Sequence, residues 1–177
     1  MPYVTLALRC LVGVVFLVSA SSKVAGRGRF AAFRASVDAM GVLPARRVPL
    51  AARLVVGTEC AVPLLLVSAP SLGFALACGL LVAFTAGIAG TLRRGAAVPC
   101  RCFGASARPL GRAHVVRNAL LTCCTLTGEA GVLLSESAGA GGAAGSAALF
   151  AGACCAGLVV LLDDLIDLFR PVRAPVR

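Results

Sequence analysis

Residues 50–92 read LAARLVVGTECAVPLLLVSAPSLGFALACGLLVAFTAGIAGTL. Only Arg53 and Glu59 carry charge in this stretch, and Pro70-Ser71 is its one strong break. A helix needs roughly 20 largely apolar residues to cross the hydrocarbon of a bilayer. The runs 50–69 and 72–92 each have that length, so the stretch reads as two membrane helices joined by a tight turn. Three further runs flank it. Residues 3–22 are interrupted only by Arg9, residues 114–134 follow a polar loop, and residues 146–162 follow a connector at 135–145 rich in Gly, Ser and Ala. The expectation is an all-α, polytopic transmembrane bundle of about five spans, forming a single integral membrane domain over 1–177 with a basic tail at 170–177. The first run is read as a retained helix and not a signal peptide, because it is long and no positively charged region precedes it.

Composition points the same way. The chain is 59% hydrophobic and 14% charged, with a mean hydropathy of +0.96. Soluble domains are about 25% charged, and so few polar side chains cannot cover so much apolar surface in water. The net charge of +10 does not mark a nucleic-acid binder. There is no Trp and one Tyr, and the arginines form no stripe interleaved with aromatics. They gather in the gaps between apolar runs: Lys23 to Arg53, Arg93 to Arg117, and the tail. The two remaining gaps have none. By the positive-inside rule the N-terminus lies outside and the C-terminus in the cytoplasm, with an odd number of spans. Between the first two spans, Phe30, Phe33, Val37 and Met40 recur at helical spacing. They predict a short amphipathic helix, either in the membrane interface or packed on the bundle.

Nine cysteines are present, most of them in apolar runs where Cys acts as a small hydrophobe. The exception is Pro99-Cys100-Arg101-Cys102-Phe103-Gly104, in a polar loop. A thiolate is the reactive form, and neighbouring cations stabilise it. Arg101 stands between the two sulfurs. A disulfide across one intervening residue closes a small ring, and strained disulfides exchange readily. This reading makes Cys100 and Cys102 a redox pair and Arg101 its thiolate stabiliser. Two other readings stay open: half a metal site, and two inert thiols. No metal is expected, because zinc takes four ligands and His114 is the only histidine.

Glu59 lies in the middle of an apolar run. A carboxylate there is neutral, paired or functional. It is expected to make a proton or ligand contact, or else to be bonded to Arg9 or a hydroxyl. Lys23, at the end of the first run, is expected to snorkel to the interface.

With these residues in place, the chain resembles the MauE family, the methylamine-utilisation membrane proteins allied to the DoxX group. The likeness rests on Ser19-Ala20-Ser21-Ser22-Lys23 followed by Phe30 and Phe33, on Glu59, on Arg93-Arg94-Gly95, on the Cys100-Arg101-Cys102-Phe103-Gly104 element, and on Leu110-Gly111 and Arg117-Asn118. It covers about residues 5–134. The resemblance implies a four-helix DoxX-like core plus a C-terminal span, in a bacterial inner membrane. It also implies a thiol–disulfide redox role in maturing exported proteins. The family's namesake supports maturation of methylamine dehydrogenase beside a thioredoxin-like protein. The partners so implied are the lipid bilayer, a thioredoxin-like protein and an exported disulfide-containing client, and the role admits a quinone as cofactor. The alternatives are a small-molecule transporter or channel, with Glu59 and Arg9 lining a polar path, and a non-catalytic assembly factor.

Overall fold

The computed structural model describes residues 2–94, 111–134 and 142–168. Six α-helices and one 3-10 turn make up these residues: α1 (Pro2–Val24), α2 (Arg29–Ala39), the turn Ala45–Arg47, α3 (Val48–Ser68), α4 (Pro70–Arg93), α5 (Arg112–Leu134) and α6 (Ala143–Leu168). Cys100, Arg101 and Cys102 lie outside the described residues, as do most of the 135–145 connector and the 170–177 tail.

Proline sets the helix starts. Pro49 and Pro70 sit in the first turns of α3 and α4, where the missing amide has no intrahelical acceptor to serve. Only Ala69 separates these two helices. So short a connection folds them back as a hairpin, and the hairpin is tight. A Cβ added at Gly73 would stand 2.7 Å from the backbone nitrogen of Leu66, so no side chain fits there. Arg9 of α1 closes the same end. It donates from Nε (2.9 Å) and Nη2 (2.6 Å) to the carbonyl of Leu66 and from Nη2 to that of Val67 (3.3 Å). These are last-turn carbonyls that a helix end leaves without internal donors.

The core is apolar and threads all five long helices. Val12, Val15 and Phe16 of α1 pack with Val62 and Leu66 of α3, Phe74, Ala77 and Leu81 of α4, Leu121 of α5 and Ala156 of α6. The helix α2 is pinned separately: Phe33 packs on Ala52 and Val56 of α3, with Phe30 and Val37 beside it. The apolar stripe therefore faces the bundle. The outer surface is rich in large apolar side chains, among them Leu17, Leu54, Leu64, Val67, Leu72, Leu120 and Phe150. A surface of that kind is stable in lipid and would aggregate in water.

Four stretches are long and apolar enough to cross a membrane: Pro2–Val24, Ala45–Ser68, Pro70–Arg93 and Ala143–Leu161. The helix α5 is not among them. Its apolar run is broken by His114, Arg117, Asn118 and Glu129. Three of these, His114, Arg117 and Asn118, are buried inside the bundle, while Val116, Leu120, Leu126 and Leu133 face outward. The helix is polar within and apolar without, which suits a span packed against its neighbours.

Pairings along the helices fix their directions. Arg9 meets Leu66 and Lys23 meets Glu59, so α1 and α3 are antiparallel. Ser71 bonds to Glu129 and Gly128 abuts Phe74, so α4 and α5 are as well. One end of the bundle thus carries the last turn of α1, all of α2, Arg93 and Arg94, and the start of α5. Among the described residues, every Lys and Arg except Arg9 belongs to this end.

Candidate functional site

Glu59 sits in the twelfth position of α3 and is 1% exposed. Its partner is Lys23, also 1% exposed, whose Nζ stands 2.8 Å from both carboxylate oxygens. Ser19 completes the group. Its hydroxyl donates to Glu59 Oε1 at 3.0 Å and accepts from Lys23 Nζ at 2.7 Å. Ser19 and Lys23 are four residues apart, so they share one face of α1. Lys23 Nζ also reaches the carbonyl of Ser19 at 3.3 Å. The Phe33 ring of α2 covers the ammonium, with its centroid 5.1 Å from Nζ. Lys23 therefore does not snorkel. Its end of α1 is roofed by α2, and its charge turns inward to the Glu59 carboxylate. Nor does Arg9 pair with Glu59. Arg9 is held at Leu66, seven residues further along α3, or about 10 Å at 1.5 Å per residue. Of the two partners expected for Glu59, the hydroxyl is present and the arginine is not.

The sequence adds a backbone feature at the same point. Pro63 lies inside α3. A proline has no amide hydrogen, so the carbonyl of Glu59, four residues earlier, loses its helical donor. Carboxylate and freed carbonyl belong to one residue in the middle of the membrane helix.

Beside Glu59 is a cavity of about 20 Å³, bounded on its polar side by Ser19, Glu59, Arg117 and Asn118 and elsewhere by Val15, Phe16, Leu81, Phe84 and Leu121. That is room for about one water. Arg117 and Asn118 are 4% and 5% exposed. The first turns of α5, which follow directly on residues 95–110, therefore bring a guanidinium and an amide to the same place as the Lys23–Glu59 pair. Arg94, on the other flank of those residues, donates from Nη2 to the carbonyl of Met40 at the end of α2 (2.7 Å).

Sequence reasoning singled out Glu59 and missed Lys23 as its partner. The signal lay in the four-residue spacing of Ser19 and Lys23 inside an apolar helix. Cys123, Cys124, Cys154 and Cys155 are thiols in α5 and α6 without a disulfide. Among the described residues no three His, Cys, Asp or Glu side chains converge as metal ligands.

A helical bundle with four apolar spans, lipid-facing leucines and a buried ion pair is a multi-pass membrane protein. A family described as "methylamine utilisation protein MauE" matches residues 1–129 of 177, and the chain belongs to that family. No curated protein and no solved structure matches it.

Proposed function

We propose that the protein is a membrane thiol–disulfide redox component that supports disulfide formation in exported proteins. Its family ties it to methylamine utilisation, where the client would be a dehydrogenase subunit. Cys100 and Cys102 are the exchanging pair, with Arg101 favouring the thiolate. In the exchange, a donor dithiol, the client's own or that of a thioredoxin-like protein relaying the client's electrons, gives two electrons and two protons to the Cys100–Cys102 disulfide. The donor gains an S–S bond and the pair becomes a dithiol. A lipid-soluble quinone then takes the same two electrons and two protons and leaves as the quinol.

One observation carries this reading. The buried cluster of Ser19, Lys23, Glu59, Arg117 and Asn118 lies inside the bundle, in the half nearer the end that holds Arg94 and the start of α5, between which residues 95–110 run in the sequence. Placed there, Glu59 and Lys23 are a proton-handling pair for thiols brought near them. The transporter reading needs Glu59 and Arg9 on one path, and they occupy separate clusters.

The test is thiol trapping with a maleimide that adds mass, on wild type and a Cys100→Ser/Cys102→Ser variant. The expected result is a shift that requires prior reductant and disappears in the variant. Full labelling of the pair without reductant, in actively growing cells, overturns the redox role.

A further inference from the structure

Arg9 stands apart from the cations of the basic end. Its Nε and Nη2 donate to the Leu66 and Val67 carbonyls. Those bonds leave the two hydrogens of Nη1, of the five that a guanidinium carries, and Nη1 bonds to no described residue. Among the described residues no carboxylate pairs with Arg9 either. The carbonyls it caps fix its depth. They belong to the last turn of α3, just before the chain reverses at Ala69. The guanidinium therefore sits at the edge of the hydrocarbon, where a charge calls for a partner.

A groove of about 410 Å³ lies beside it. The floor is α1, at Gly13 and Val14, and the walls are α3, at Pro63 and Val67, and α6, at Leu149. The α6 wall is held close to the floor, since a Cβ added at Gly152 would run into the carbonyl oxygen of Ala7. Leu17, Val67 and Leu149 are exposed, so the groove opens toward lipid. Arg9 is the one charged residue in its lining. Along α1 the groove extends from Leu6 to Leu17. At 1.5 Å per residue that is about 16 Å, close to half of the ~30 Å hydrocarbon core. The groove is one leaflet deep, with a cation near its outer rim.

The geometry points to an anionic phospholipid seated in this groove, its phosphate on Arg9 Nη1 and one acyl chain laid along α1 toward Leu17. Charge and length together choose the occupant. A plain hydrocarbon tail would leave the guanidinium without an anion, and phosphate oxygens accept its N–H groups in strong, charge-assisted bonds. A zwitterionic headgroup brings its own cation, whereas a net negative one neutralises Arg9. Free phosphate gains nothing from the apolar walls beyond Arg9. A phospholipid carries the anion and the chain one leaflet apart, and phosphate is the anion that a bilayer supplies at the level of the helix ends. The inference stands apart from the redox reading, since the groove contains neither Cys100 nor Cys102.

The chain has no tryptophan, so Leu17→Trp puts a single emitter at the deep end of the groove, about 12 Å along α1 from Arg9. In phosphatidylcholine nanodiscs, a low fraction of phosphatidylglycerol brominated in mid-chain should quench it at least threefold more than phosphatidylcholine with the same chains. Leu120→Trp, on the outward face of α5, should show no such preference. Arg9→Gln in the Leu17→Trp chain should bring the two lipids to equality, and Arg9→Lys should keep most of the difference. Gly13→Leu is the second variant, should Arg9→Gln fail to fold. A Cβ at Gly13 makes an ordinary contact with Leu66 at 3.7 Å, so the added bulk enters the groove and should cut the preference at least threefold with the charge intact. Equal quenching by the two lipids overturns the site, and a preference that survives Arg9→Gln overturns the role of Arg9. Loss of the preference on adding millimolar inorganic phosphate at constant ionic strength would make Arg9 a seat for the free ion and overturn the lipid. Brominated stearate that displaces the phosphatidylglycerol would replace phosphate by carboxylate and overturn it too.

Discussion

A lysine one residue from the end of a membrane helix ordinarily extends its ammonium outward to water. Lys23 turns inward because α2 closes over it and because Glu59 and Ser19 together offer it three oxygen atoms at 2.7–2.8 Å. Desolvating two charges is expensive, and only their mutual attraction and the extra hydrogen bonds repay it. Removing one partner leaves the other charged and alone. Lys23→Met and Glu59→Gln should therefore each destabilise the fold, with Lys23→Met costing about 3–5 kcal/mol and Glu59→Gln less, since the amide still accepts a hydrogen bond. The double change Lys23→Met/Glu59→Leu should recover most of that loss, because it removes both charges together. Unfolding curves in mixed micelles would show it, and a double variant as unstable as the sum of the singles would contradict the pairing. Activity separates the roles: if the pair handles protons, the stable double variant still fails to cycle its thiols. Glu59 was legible in the sequence because a carboxylate in the middle of an apolar run has no solvent to excuse it. Lys23 was not, because its position near a helix end matched a common surface role. What reverses that role is α2, whose packing depends on Phe33 meeting Ala52 and Val56.

Among the elements, the α3–α4 hairpin was the most legible and α5 the least. Two uniformly apolar runs with Pro-Ser between them permit little else in lipid. The helix α5 mixes His114, Arg117, Asn118 and Glu129 with leucines, and hydropathy averages over faces that the bundle treats differently. Its meaning depends on which side each residue takes, and that is decided by helices far away in sequence. Packing between elements also hides in small residues. Gly73 and Gly79 look alike in the sequence and differ in the fold. A side chain at Gly73 drives into the backbone of Leu66, whereas a Cβ at Gly79 meets nothing within 4 Å. Gly73→Val should therefore destabilise by about 1–3 kcal/mol or more, as overpacking does. Gly79→Ala should be neutral or stabilising by up to about 1 kcal/mol, through lower backbone entropy in the unfolded chain. Thermal aggregation of purified protein in detergent ranks the two, and equal effects would mean that the hairpin is looser than its backbone contact implies.

For the whole molecule, charge and topology are one question. Every described cation but Arg9 lies at the end that holds α2 and the start of α5. Arg9 is consumed by the Leu66 and Val67 carbonyls at the opposite end, so it does not weaken the asymmetry. Translocating that many arginines is opposed by the insertion machinery and the membrane potential, so the basic end should face the cytoplasm. Disulfide formation belongs to the other side. The flanks of the Cys100–Cys102 segment, Arg94 and Arg112, are nonetheless at the basic end. On the redox reading, a protein built this way would have to carry reducing equivalents across the bilayer, or into it. The arrangement predicts a definite labelling pattern in intact cells treated with a charged, impermeant maleimide. Leu134→Cys, at the far end of α5, should label before lysis. Arg27→Cys, ahead of α2, should label only after lysis. The native exposed thiols Cys60, Cys123, Cys154 and Cys155 face lipid within the helices, so a charged reagent should leave them alone and the parental chain sets the baseline. The reverse pattern would put the cysteine pair on the exported side and let it meet a client directly, and the electron path through the bundle would then no longer be required.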